Sequence, residues 1–76
     1  MTIQVECYAG YRGEQEPQAF VLGDTRLEVT AITDRWAGPD YRYFRVTGSD
    51  GDTYVLRHDE RLDEWTLGAF RKGVSP

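Results

Sequence analysis

The stretch Tyr43-Phe44-Arg45-Val46-Thr47-Gly48-Ser49-Asp50-Gly51-Asp52-Thr53-Tyr54-Val55-Leu56-Arg57 sets two runs of aromatic and β-branched residues around a Gly-Ser-Asp-Gly break. That is the pattern of a β-hairpin. Its loop length is critical, because a slip of one residue moves every side chain to the opposite face. A two-residue Asp50-Gly51 loop would set Phe44 against Arg57 and Arg45 against Leu56, mixing both faces. A three-residue loop, Ser49-Asp50-Gly51, pairs Phe44 with Leu56 and Val46 with Tyr54 on one face. The other face then holds Thr47–Thr53, Arg45–Val55 and Tyr43–Arg57. The three-residue register segregates core from solvent, and Gly51 suits the left-handed bulge position of such loops.

On the N-terminal side of this hairpin, Gly23-Asp24 reads as a two-residue loop that pairs Phe20 with Leu27 and Leu22 with Thr25. Val21–Arg26 and Ala19–Glu28 would lie on its solvent face. Leu27, Val29 and Ala31 share a phase, whereas Ile32 and Trp36 fall on the other, so a bulge is expected near Ala31-Ile32. Trp36 is then expected to cap the core. Ile3, Val5 and Cys7 form one face of a first strand, followed by a Gly-containing acidic loop that closes at Pro17. Between His58 and Phe70, Leu62, Trp65 and Ala69 have helical spacing, while Trp65, Leu67 and Ala69 alternate as a strand. Gly68 and Thr66 favour the strand. The expected fold is all-β: about six short antiparallel strands in a curled meander or SH3-like partly open barrel. It forms one domain over residues 1–70, with 71–76 as a flexible tail.

Composition narrows the function. A chain of 76 residues, 39% apolar and 29% charged, is globular with one small core and no room for a deep cleft. The net charge of −4 opposes binding to nucleic acid and to anionic membranes. Eight of its nine basic residues are arginine, which leaves local ion-pairing and stacking patches open. A single cysteine excludes an internal disulfide and a Cys-rich zinc site. The N-terminus lacks a hydrophobic signal region and no apolar run reaches membrane-spanning length, so the expected location is the cytoplasm.

The ordered set Tyr11-Arg12-Gly13-Glu14, Phe20-Val21-Leu22-Gly23, Asp34-Arg35-Trp36, Tyr43-Phe44, Asp50-Gly51, Arg57-His58-Asp59 and Glu64-Trp65 resembles a family of short bacterial cytosolic proteins of unknown activity. The resemblance extends to Phe70. Related-looking domains near DNA-polymerase genes imply a nucleic-acid or replication partner. Small residues in the turn before the final tryptophan of such proteins imply a hairpin there, from which Leu62 departs.

No catalytic motif stands out. Cys7 and His58 lack the third group and spacing that thiol catalysis needs, and their simpler reading is core packing. No residue pair has metal-ligand spacing, and the acids Asp59-Glu60 and Asp63-Glu64 read as solvated turn residues. No cofactor or metal is therefore expected. Two features could bind a partner. The Gly10-Tyr11-Arg12-Gly13 loop lets a backbone approach closely and offers an arginine fork. Tyr43, Arg45 and Arg57 share the solvent face of the second hairpin, where Arg57 could also simply cover Tyr43 as a cation–π pair. The expectation is a noncatalytic binding or adaptor module with Tyr43, Arg45, Arg57, Tyr11 and Arg12 as its contact surface. Its partner is another protein or a second copy; the alternative is single-stranded nucleic acid on the same face, and a cysteine-dependent enzyme stands third.

Overall fold

The computed structural model describes residues 2–9 and 15–71. They form six antiparallel strands: β1 (Thr2–Ala9), β2 (Gln15–Leu22), β3 (Thr25–Ala37), β4 (Tyr41–Gly48), β5 (Thr53–Asp59) and β6 (Glu64–Arg71). Each strand pairs with the next in sequence, and β1 closes the barrel against β6 through Thr2–Thr66 and Ile3–Trp65. The segment before Trp65 is a turn, so the last element is the strand rather than the helix. β6 runs one residue beyond the expected domain end, to Arg71. Residues 72–76 lie outside the described set. No helix among the described residues is long and apolar enough to cross a membrane.

Both hairpin registers agree with the sequence reading. Phe20 faces Leu27 and Leu22 faces Thr25 across a loop whose first residue, Gly23, has φ of 58°. Phe44 faces Leu56, Val46 faces Tyr54 and Thr47 faces Thr53, with Gly51 at φ of 86° in the connecting loop. That loop also ties the two halves of the barrel together. The Ser49 amide donates to the Glu28 carbonyl at 2.8 Å, and the Glu28 amide donates back to Ser49 Oγ at 3.2 Å.

Strand β3 bends more than its sequence suggests. One register shift falls between Val29 and Ala31, and a second between Ile32 and Asp34. The residues at the two shifts, Thr30 and Thr33, donate their hydroxyls to the carbonyls of Thr47 and Arg45 at 3.2 and 3.1 Å. Each bulge adds twist and reverses the facing of the residues beyond it. After the first reversal Ile32 points inward, and after the second Trp36 points outward. A third shift, at Gly68, leaves Leu67 opposite Leu56 but Ala69 opposite Val55, which puts Ala69 on the outer face rather than in phase with Trp65.

The core comprises Ile3, Phe20, Leu27, Phe44, Val46, Tyr54, Leu56 and Trp65, with Phe20, Phe44, Val46 and Leu56 fully enclosed. Ala19, placed on the solvent face by the hairpin pattern, is fully buried. A register shift between β1 and β2 falls beside it, where Glu6 faces Ala19 but Cys7 faces Pro17. On the same face Arg26 on β3 reaches across β2 to grip both carboxylate oxygens of Glu6 on β1, at 2.7 and 2.9 Å.

Candidate binding face

The outer surface of β3–β6 carries the aromatic and arginine residues. The second bulge of β3 sets Trp36 opposite Tyr43 on β4, and their rings stack with centroids 5.3 Å apart and planes 4° from parallel. Trp36 is 41% exposed. It therefore lies on the surface rather than capping the core. Two residues along β4 on the same face, the Tyr41 ring is 6.3 Å from that of Tyr43. Offset and tilted pairs of this kind contribute roughly 0.5–1.5 kcal/mol beyond burial.

The arginines are held in place by this scaffold. Arg45 Nη2 is 3.2 Å from Asp34 Oδ2, and its guanidinium lies 5.9 Å from the Trp36 ring centre. Arg57 pairs with Tyr43 in the backbone register but does not cover it. Its guanidinium sits 4.7 Å over the Tyr41 ring while Nε donates to Thr66 Oγ1 at 3.0 Å. Tyr43 is already stacked on Trp36, so the cation is found over the neighbouring ring. Beside the stack, a notch of about 200 Å³ is lined by Arg35, Trp36, Ala37, Arg42, Tyr43 and Phe44.

Of the residues read from the sequence as a contact surface, Tyr43, Arg45 and Arg57 share this face. Tyr11 and Arg12 lie outside the described residues. Two members of the face were missed. Tyr41 is in phase with Tyr43 and could have been read two residues back along the strand. Trp36 could not be placed without knowing that β3 bulges twice; Thr33, a β-branched residue with a hydroxyl able to back-bond across the ladder, is the one local hint.

The opposite outer surface, on β1–β3, is built differently. Arg26 bridges Glu6 and lies 3.4 Å from Glu28. The hydrogen bond and charge of Arg26 lower the Glu6 carboxyl below its usual range, and Glu6 in turn raises the guanidinium further. There a single arginine serves two carboxylates.

Cys7, His58 and Asp63 come together at one end of the barrel. His58 is 7% exposed, stacks on Trp65 at 4.4 Å and shares a hydrogen bond of 2.8 Å between Nε2 and Asp63 Oδ1. Asp63 holds a left-handed backbone, φ 52°, in the turn that presents it. Cys7 and Asp63 line the same shallow groove of about 410 Å³. Burial, followed by the charge of Asp63, pushes the Cys7 thiol up. A nucleophilic cysteine needs the reverse, a pKa lowered by a cation or an adjacent base. Among the described residues, no group of three or more His, Cys, Asp or Glu side chains is arranged to hold a metal ion.

Comparison with protein-family models, with curated proteins and with solved structures finds no match.

Proposed function

We propose that this chain is a noncatalytic cytoplasmic binding module whose contact surface is the Trp36, Tyr41, Tyr43, Arg45 and Arg57 face, and that its partner is a protein. The observation that carries this reading is the exposed Trp36–Tyr43 stack with arginines fixed around it. Trp, Tyr and Arg are the residues enriched at protein–protein hot spots. Side chains ordered before contact lose less entropy when a partner arrives, at roughly 0.5–1.5 kcal/mol for each one not newly frozen. The closed barrel is rigid backing for such a face, and a Cys7 thiol pushed up by burial lacks the activation a nucleophile needs.

Single-stranded nucleic acid is the second reading, favoured by the interleaving of arginine with rings on one surface. Two features weigh against it. The net charge is −4, and Trp36 and Tyr43 each spend one ring face on the other. The two readings separate in one experiment. Partners captured by the wild-type chain from its host should be lost on Arg45→Glu with Arg57→Glu, and binding should respond only modestly to salt. Oligonucleotide binding that falls steeply with salt, through counterion release, would replace the protein reading with the nucleic-acid one. Partners and oligonucleotide titrations that are all unchanged in the double variant would remove the face from consideration.

A further inference from the structure

The barrel closes on β6 over a short distance only. Trp65 and Thr66 pair with β1, whereas the other side of β6 is paired with β5 along nearly its whole length. From Leu67 to Arg71, no strand among the described residues lies on the outer flank of β6. Such a flank presents alternating amide and carbonyl groups, a template for an added strand. Its side chains are sorted by the shift at Gly68. Leu67 and Phe70 share the inward phase, and Phe70, 54% exposed, rests its ring 5.1 Å from that of Tyr54. Ala69 and Arg71 share the outward phase, beside a groove of about 540 Å³ that also includes Arg45, Thr53 and Val55. The groove thus has a small apolar floor, with Arg71 at its β6 edge and Arg45, already held by Asp34 and Trp36, on β4. Arg71 has no carboxylate within ion-pairing distance among the described residues.

Resting on the reading of the partner as a protein, we propose that this flank of β6 takes an extended peptide segment of alternating acidic and apolar residues as an added strand. Main-chain hydrogen bonds to β6 supply the affinity. The apolar side chains pack beside Leu67 and Phe70, and an acidic one lies against Arg71. Charge selects this occupant. A second copy of the chain would bring its own Arg71 to the same seam, adding like charge beside a cation with no carboxylate partner among the described residues. A nucleic-acid strand cannot complete the amide–carbonyl ladder.

The test uses the full chain and a short fluorescein-labelled peptide of alternating glutamate and valine, followed by anisotropy. Saturable binding is expected. N-methylation of one set of alternate peptide amides should weaken it by about tenfold or more, and the other set by little, because only one edge of the peptide faces β6. Arg71→Glu should weaken the glutamate peptide by about tenfold and strengthen a lysine counterpart. Circular dichroism of Arg71→Glu checks that this exposed strand end leaves the barrel folded. The proposal is overturned by absent saturation, by binding indifferent to both methylation patterns, or by a sedimenting dimer that Phe70→Ser dissolves. Failure here is distinct from failure of the aromatic face. If Trp36→Ala with Arg57→Glu abolishes host-partner capture while Arg71→Glu leaves both capture and peptide binding intact, the module stands and the β6 site falls.

Discussion

The two outer surfaces of this barrel use arginine in opposite ways. On β1–β3, Arg26 lies between Glu6 and Glu28. On β3–β6, Arg45 and Arg57 lie over Trp36 and Tyr41, and only Arg45 has a carboxylate beside it among the described residues. On the first surface the arginine is fully engaged by carboxylates. The second holds large rings and cations in fixed geometry with part of their surface still facing water. One strand, β3, contributes to both, and its two bulges are what move it from one to the other. The character of a surface on a small barrel is thus set by where a strand bends, not only by which residues it contains.

The most damaging substitution lies in the core that backs both surfaces. Phe44→Ala removes a fully enclosed ring and should cost about 3–5 kcal/mol. That matches the whole net stability of roughly 3–5 kcal/mol expected of so small a core. Circular dichroism should show the variant unfolded, and a cooperative melt near that of wild type would contradict the packing described. Trp36→Ala separates the two surfaces: binding of the protein partner should fall by about 2 kcal/mol or more, the hot-spot range, while the melting temperature moves little. Gly48→Ala strikes the corner between the surfaces, since a new Cβ would lie 2.8 Å from Asp50 Oδ1 and 3.0 Å from Tyr54 Cε1. A loss of about 1–3 kcal/mol in denaturant titration is expected from the overpacking.

Tyr54→Phe at the same corner should cost about 1–2 kcal/mol, because the Tyr54 hydroxyl donates to Asp50 Oδ2 at 2.5 Å. The two partners respond to pH in opposite directions. Partial burial raises the Asp50 carboxyl, but hydrogen bonds from Tyr54 and from the Asp52 and Asp50 amides outweigh it, so the folded value is lowered. Its stabilisation is full above the unfolded-state value near about 4 and is lost as pH falls through the lower folded value. Burial, then the hydrogen bond to Asp50, raises the Tyr54 phenol. That contribution is full below about 10 and is lost as pH rises through the higher folded value. Tyr54→Phe should remove the alkaline limb and soften the acid one in melts taken across pH. The smallest effect is expected of Arg26→Ala, whose ion pairs are solvent-exposed: a slight fall in melting temperature, screened by salt, and unchanged partner binding.

The sequence was most informative where period-2 alternation ran uninterrupted. The registers of β2–β3 and β4–β5 follow from apolar segregation and from Gly23 and Gly51, because any slip would bury arginine. It was least informative at bulges, where one added residue reverses the facing of everything beyond it. The first shift in β3 shows as a change of phase between Val29 and Ile32. The second, at Thr33, is hidden because it restores an alternation that looks regular, and Trp36 was misplaced for that reason. The shift at Gly68 misled in the same way for Ala69. Ala19 shows a different limit, since it sits beside a β1–β2 register shift that the β2–β3 hairpin pattern does not include. Tyr43, Arg45 and Arg57 were legible as one face; which ring each arginine covers was not, as that depends on what the rings already touch.

If the bent half of β3 turns the β3–β6 surface outward as the contact face, Trp36 should touch the partner and Glu28 should not. Site-specific photo-crosslinking in the host cell tests this directly, with p-benzoylphenylalanine placed at position 36 in one variant and at position 28 in another. A discrete higher-mass protein adduct is expected from position 36 and none from position 28. Equal crosslinking from both positions, or an adduct from position 28 alone, would contradict that assignment.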